Sequence, residues 1–336
     1  MASFDEVLKD CTKLGTKIQT SEYLKNGTYP IIDQGQDNIA GYFDTENGLF
    51  KDVPAIVFGD HTRIVKYIDK PCFLGADGVK LLCPVSKNTN CKYLFYQLAH
   101  ADIPNTGYNR HFKWVKALEF KIPFLEEQNH IVNVLDKIST LITFRKQQLA
   151  KLDELVKARF VEMFGNKDYP RMKWNDVFNT TTGKLDSNAA VANGKYPFFT
   201  CSKEPLKIDS YAFDQTALLL TGNNAAGKYD VKYYQGKFNA YQRTYVLSLK
   251  HNWSYKLFQY QLEDKLLYLQ TKSLGGLTKY LTLKILGELD FIVPPLALQN
   301  EFAAFVEHVD EQKQTVQQSL EKLELMKKAL MQEYFG

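Results

Sequence analysis

The chain has 336 residues, 45% of them hydrophobic and 24% charged, with a formal net charge of +4, an ordinary composition for roughly two domains. No run approaches the ~18 consecutive apolar residues of a membrane span, and the opening MASFDEVLK lacks the basic start and apolar centre of a signal peptide. A cytoplasmic protein without membrane partners is therefore expected.

Along the chain, residues 1–119 predict mixed α/β structure. Ala55–Phe58, Arg63–Tyr67 and Val79–Leu82 read as short strands from their β-branched and aromatic content. Turn clusters at Gly59-Asp60-His61 and Gly75-Ala76-Asp77-Gly78 separate them, and Tyr93–Ala99 reads as a short helix. Residues 126–164 then carry one apolar stripe at helical spacing through Ile131, Val134, Leu135, Ile138, Leu141, Ile142, Leu149, Leu152, Leu155, Val156, Phe160 and Met163. Pro123 marks the start of that helix and Gly165 its end.

The same order then starts again. Ala217–Leu220, Val231–Tyr234 and Thr244–Leu249 read as strands, with a turn at Gly222-Asn223-Asn224 and a helix over Tyr255–Leu269. Residues 297–335 predict a second long helix after Pro294-Pro295, with Phe302, Val309, Val316, Leu323 and Leu330 repeating every seven residues. Each helix has a single stripe, so the two are expected to pair with each other. At 1.5 Å per residue each is roughly 60 Å long.

The repetition is literal. At an offset of 171, Phe120, Pro123, Leu125, Gln128 and Asn129 fall on Phe291, Pro294, Leu296, Gln299 and Asn300, and the match ends with Glu162, Phe164 and Gly165 on Glu333, Phe335 and Gly336. In all, 14 of 46 ungapped positions are identical. Before the helices the likeness is looser: Tyr29-Pro30-Ile31-Ile32 resembles Tyr196-Pro197-Phe198-Phe199 at an offset of 167, and Ala55–Phe58 resembles Ala217–Leu220 at 162. A constant frame carrying two divergent modules fits this pattern. Charge divides the modules too: residues 171–290 hold 16 basic against 10 acidic side chains, whereas residues 1–119 hold 14 of each.

Motifs for chemistry are mostly missing. Gly222 to Tyr229 nearly matches a phosphate-binding loop, but Tyr229 stands where a Ser or Thr would meet Mg²⁺, and a strand rather than a helix is predicted to follow. Pro294-Pro295-Leu296 lacks the polar residue and the ring of an amino-methyltransferase loop. Cys72, Cys83 and Cys91 with His100 lack the close ligand pairs of a structural zinc site, and five cysteines without a C-x-x-C pair suit a reducing compartment. No catalytic centre, cofactor or metal is expected. What remains is binding chemistry on loops: His61, Arg63 and Lys66 with Tyr108, Arg110, His111 and Lys113 in the first module, and Asn223, Asn224, Lys228, Lys232, Gln242, Arg243 and Lys279 in the second. Arg reads guanine bidentately, Asn and Gln read adenine, and Lys neutralises phosphate. Any one of these residues is compatible with a solvated surface; the clusters carry the argument.

With the repeat in place, the chain resembles the specificity subunit of a type I restriction-modification system. The resemblance rests on the Tyr29-Pro30 and Tyr196-Pro197 positions, the Gly222-Asn223 turn, the Pro-x-Leu-x-x-Gln-Asn helix starts at Pro123–Asn129 and Pro294–Asn300, and the Phe-Gly helix ends. It implies an α/β (α+β) fold of two target-recognition domains, 1–119 and 166–290, separated by a pair of long antiparallel coiled-coil helices, 120–165 and 291–336, in a pseudo-twofold tandem repeat. It further implies a non-catalytic chain that reads a bipartite double-stranded DNA target and docks two modification (methyltransferase) subunits, with restriction subunits in the full complex. Compared with that family the chain is compact, with little before its first recognition domain. The first recognition domain is also neutral, so partner subunits are expected to supply much of the attraction to phosphate. The alternative is a coiled-coil scaffold that joins proteins without reading DNA.

Overall fold

Neither 125–164 nor 296–335 contains an internal glycine or proline, and in the computed structural model Leu125–Phe164 and Leu296–Phe335 are unbroken helices of 40 residues each. The structure describes residues 1–336 apart from Ala76, Asn166 and Ala226. Ala76 in the predicted turn Gly75–Gly78, Ala226 in the phosphate-loop look-alike and Asn166 at the predicted domain start lie outside the described residues. The chain divides into two units, Met1–Gln147 with Val316–Gly336, and Gln148–Thr315. Each unit holds one globular part and one half of each long helix.

Within each unit the helix halves run antiparallel, because partner numbers rise on one as they fall on the other. In the first unit Lys146 bonds Glu324 at 2.9 Å, while Met331 packs near Ile131 and Leu135. In the second, Arg159 bonds Glu301 at 2.6 Å and Lys313 pairs with Asp153. Exposed ion pairs of this kind contribute little in water, so the apolar seam holds the helices. Ile131, Leu135, Ile138, Leu152, Val156 and Met163 are buried on one helix, and Phe302, Val309, Val316 and Leu320 on the other. Leu141 and Leu155, predicted on the stripe, are about half exposed (46% and 47%), since they flank the strict seven-residue seam that Ile138, Leu152 and Val156 occupy.

The globular parts are built round a central strand. In the first unit Ala55–Gly59 lies in an antiparallel four-stranded sheet with Val65–Ile68 on one side and Val79–Pro84, then Leu8–Asp10, on the other. Its side chains alternate: Ile56 and Phe58 meet Leu94 and Phe112, while Ala55 and Val57 meet Cys72 and Leu81. A second four-stranded sheet holds Lys17–Ile18, Phe73–Gly75, Tyr29–Ile32 and Gly41–Phe43. In the second unit Phe213–Thr221 is the central strand of a six-stranded sheet. Here Leu218 and Leu220 meet Trp174 and Phe258, while Ala217 and Leu219 meet Phe199 and Val246.

The two units differ at one junction. Val231–Ala240 is a single strand that pairs with the central strand through residues 231–238 and whose last two residues run parallel to Phe198 and Phe199. The first unit divides that task between Val65–Ile68 and Phe73–Gly75, with Pro71, which has no N–H to donate, between them. Two predicted elements shift. Arg63 lies outside the strand that begins at Val65, because its φ of +62° places it in the left-handed region. The predicted helix over 255–269 breaks at Lys265 into Tyr255–Asp264 and Leu266–Lys272.

The repeated Gln-Asn helix start has a physical cause. Gln128 is 1% exposed; its Nε2 donates to the Pro123 carbonyl at 2.8 Å and its Oε1 accepts from the Asn90 N–H at 2.9 Å, at the start of the helix Cys91–His100. Gln299, also 1% exposed, does the same between the Pro294 carbonyl at 2.8 Å and the Ser254 N–H at 3.0 Å. Each glutamine thus ties a long helix to the first turn of a helix in the globular part. Asn129 adds a bond at 2.7 Å from the Asn90 side chain, which itself caps that turn.

Cys11, Cys72, Cys83, Cys91 and Cys201 are free thiols, and burial pushes Cys72 and Cys91 up to about 12. Among the described residues no helix is long and apolar enough to cross a membrane, and no group of His, Cys, Asp and Glu is placed to hold a metal ion.

Candidate nucleic-acid interface

The candidate residues gather where the central strand of each unit ends. In the first unit that strand passes into Asp60, which the rest of the fold holds from three sides. Its N–H donates to the Gly78 carbonyl at 2.6 Å, its carbonyl accepts from the His111 N–H at 2.8 Å, and its Oδ1 accepts from the Phe112 N–H at 2.7 Å. These bonds bring the segment before the short helix Phe112–Lys116 against the loop after the strand. His61 then stacks on Tyr108, with ring centroids 4.6 Å apart and planes 8° from parallel, and its Nδ1 lies 3.2 Å from the Asn109 carbonyl. Tyr108 is 84% exposed, so the stack presents an aromatic face to solvent. Arg63 bonds the Ile103 carbonyl at 3.0 Å, Arg110 is exposed, and exposed Lys113 lies 5.2 Å over the Trp114 ring.

The second unit repeats the frame with other residues. Gly222 donates its N–H to the Arg243 carbonyl at 2.8 Å, and its carbonyl accepts from the Leu281 N–H at 2.8 Å. Gly222 therefore stands where Asp60 does, and Leu281 where His111 does. Glycine is required there, since a Cβ would lie 2.3 Å from the Arg243 carbonyl. Asn223 and Asn224 pair with Tyr280 and Lys279 in a two-stranded ladder, and the Lys279 Nζ bonds the Gly275 carbonyl at 2.7 Å. Exposed Lys228 follows in the same loop, and exposed Gln242 and Arg243 approach through the Gly222 bond. The Gln242 side chain lies 3.4 Å from Asp186.

Three of the candidates are tied to other groups of the fold, His111 and Lys66 buried and Lys232 half-buried. His111 is fully buried, with Nδ1 2.9 Å from the Asp60 carbonyl and Nε2 3.3 Å from the Thr106 hydroxyl. A carbonyl only accepts, so Nδ1 carries the proton and Nε2 accepts from Thr106. Lys66 is 5% exposed; its ammonium donates to the Asp37 carbonyl and lies 3.4 Å from Asp33. Lys232 is tied to Asp230 and, at 3.1 Å, to the Ser202 carbonyl. Lys66 and Lys232 hold the same place in their strands, one residue after Val65, which pairs with Phe58, and Val231, which pairs with Leu220.

The sequence reading missed a third loop in each unit, the one after Tyr29–Ile32 and after Tyr196–Phe199. Gln34 accepts the His61 N–H at 3.2 Å, and the Cys201 thiol donates to Asn223 Oδ1 at 2.8 Å. Burial pushes that thiol up, against the pull of the Asn223 and Gly222 backbone, which keeps it a donor. Gln34 and Cys201 stand at the 167-residue offset already visible in the Tyr-Pro pairs, so extending that alignment by a few residues would have found them. Gly78 closes the first loop, with φ +61° and space for a Cβ only 2.6 Å from the Gln34 amide. The phosphate-loop look-alike has no phosphate geometry: Tyr229 is buried in the core beside Phe258, and a strand follows.

The model of the type I restriction modification DNA specificity domain matches this chain twice, over residues 5–154 and 166–325. The chain belongs to that family. One curated relative is the type I restriction enzyme EcoDI specificity subunit of Escherichia coli, 50% identical over 80 residues, a match spanning 24% of this chain and 17% of that protein. Among solved structures, the S subunit of a type I restriction-modification system from M. genitalium shares the fold with a TM-score of 0.63 at 18% identity, covering 99% of this chain and 95% of that one. A chain from a study of complex assembly and conformational transition in the type I system aligns with a TM-score of 0.50 at 14% identity, covering 99% and 95%. Both specificity-domain matches include one globular part and most of the helix that follows it.

Proposed function

We propose that this chain selects the DNA target of a type I restriction-modification complex, each globular part reading one half of a split duplex site. One observation carries the reading: two globular parts of different sequence and charge hold the same pair of loops by the same backbone bonds, in a family of DNA specificity domains. The constant bonds position the loops and the variable side chains on them differ, as two readers of different half-sites require. Residues 1–119 and 166–290 are the readers, and 120–165 and 291–336 are the helices that join them and dock two modification subunits. His61, Arg63, Tyr108, Arg110 and Lys113 contact one half-site, and Asn223, Asn224, Lys228, Gln242, Arg243 and Lys279 the other. Methyl transfer and cleavage belong to the partner subunits, and the chain itself works without a cofactor.

A gel shift tests this reading. The chain purified with its modification subunit is expected to retain duplexes carrying one bipartite sequence over scrambled duplexes at near-physiological salt, while the modification subunit alone does not discriminate. Equal retention of both duplexes would leave the chain as a scaffold.

A further inference from the structure

One lysine recurs at the same place in both units. Lys66 and Lys232 occupy one structural position, both lie largely out of solvent, and in both units the ammonium donates to a carbonyl of the loop after the Tyr-Pro strand: Asp37 in the first, Ser202 in the second. The remaining partners differ, Asp33 against Asp230, and so do the loops, which run from 33 to 40 and from 200 to 205. A buried ion pair adds little net stability over an apolar side chain of similar size, so its distinct effect is to fix geometry. The fold keeps the anchor and varies what is anchored.

In the first unit the anchoring is dense. Lys66 holds Asp37, the Asp33 side chain accepts from the Gly35 N–H at 2.8 Å, the Thr62 hydroxyl donates to the Gln34 carbonyl at 2.7 Å, and the Gln34 side chain accepts from His61 at 3.2 Å. Residues 33, 34, 35 and 37 are thereby fixed without regular secondary structure. Gln36 and Asn38, next to the anchored Asp37, are exposed and have no hydrogen-bond partner among the described residues. The loop is bonded directly to the His61 end of the His61–Tyr108 stack. Two free amides on a fixed backbone beside an aromatic platform are suited to pairing with base edges, since a primary amide donates and accepts at adenine N6 and N7 at once. A fixed backbone also loses little freedom on binding.

We infer that the loop 33–40 is a base-reading element of the first recognition domain, with Gln36 and Asn38 as specificity-determining side chains and Lys66 as the residue that positions them. The inference rests on the DNA-reading role proposed above. It is tested by selection from a randomised duplex library, using the full chain co-purified with its modification subunit, as wild type, as Q36A/N38A and as K66M. The double variant is expected to lose about 5- to 150-fold of its discrimination at one or two positions in one half of the selected sequence, with the other half unchanged. K66M strands the Asp37 carbonyl and lowers the urea midpoint, and it is expected to relax the same positions alone with the other half unchanged, which a merely structural lysine would not give.

An unchanged selected sequence for Q36A/N38A overturns the inference, and so does relaxation of both halves. Should K66M fail to fold, the double variant, confined to exposed positions, decides alone. If K66M folds and leaves those positions unchanged, Lys66 is not their positioning residue. A wild-type complex that selects no sequence at all defeats the DNA reading itself, an outcome distinct from failure of the loop.

Discussion

Gln128 offers a direct test of how each globular part is held to its helix. Replacing it by Met keeps length and volume but removes both hydrogen bonds, leaving the Asn90 N–H and the Pro123 carbonyl without their partner. A stranded buried polar group costs about 1–3 kcal/mol. Asn90 and Pro123 are only half-buried, so water reaches part of the gap, and the expected loss is about 2 kcal/mol. Urea unfolding measures the loss, and amide hydrogen exchange locates it: faster exchange is expected in the first turn of Cys91–His100, with 255–264 unaffected. Gln299→Met should give the mirror result, speeding exchange at Ser254 and the turn after it. A loss below about 0.5 kcal/mol, the range of ordinary surface substitutions, would refute the clamp.

Further expectations concern charge, pH and helix length. Arg110→Ala and Lys228→Ala should each weaken DNA binding and lower the slope of log affinity against log salt by ~0.9, if each meets one phosphate; an unchanged slope removes that residue from the interface. At Asp10, burial opposes ionisation, but hydrogen bonds from Thr12 and Lys80 outweigh it and hold the carboxyl below its usual range. A depressed carboxyl stabilises the fold above the unfolded pKa, and that stabilisation is lost as pH falls through the folded one. Asp10→Asn should therefore unfold earlier than wild type at neutral pH, with the gap closing in acid; a gap that persists in acid contradicts this assignment. Removing residues 138–144 together with 309–315 takes one heptad from each helix and should change or abolish the unread spacer of the DNA target, read by methylome sequencing.

What was legible in the sequence depended on length and period. The long helices showed because an apolar side chain at every seventh position, sustained over dozens of residues, lines up on one face only in a supercoiled helix. The central strands showed as dense runs of aliphatic side chains. Elements of two to four residues, such as Lys17–Ile18, Gly41–Phe43 and Phe73–Gly75, are invisible in sequence because so short a run carries no period. Pro30 concealed the strand Tyr29–Ile32 in the same way, since a proline argues against a central strand until its neighbours are known.

The loops were legible by residue type but not by orientation. The sequence puts His61 and Tyr108 in one cluster, and they stack. Lys66 and His111 belong to the same cluster by residue type, yet what buries them is far away in sequence: Asp33 and Asp37 for the lysine, Asp60 for the histidine. A basic side chain near a turn looks the same in sequence whether it meets solvent or a buried carbonyl. The phosphate-loop resemblance failed for the converse reason, because its glycines serve close backbone packing at Gly222 rather than an anion.

If two independent readers share one chain, exchanging a single reader changes one half-site alone. Residues 171–290 can be replaced by the corresponding segment of another specificity subunit, and the methylome of cells carrying the hybrid with its modification subunit compared with wild type. A bipartite motif in which one half changes and the other half persists is expected. A motif altered in both halves, or one that is not divided, would contradict it.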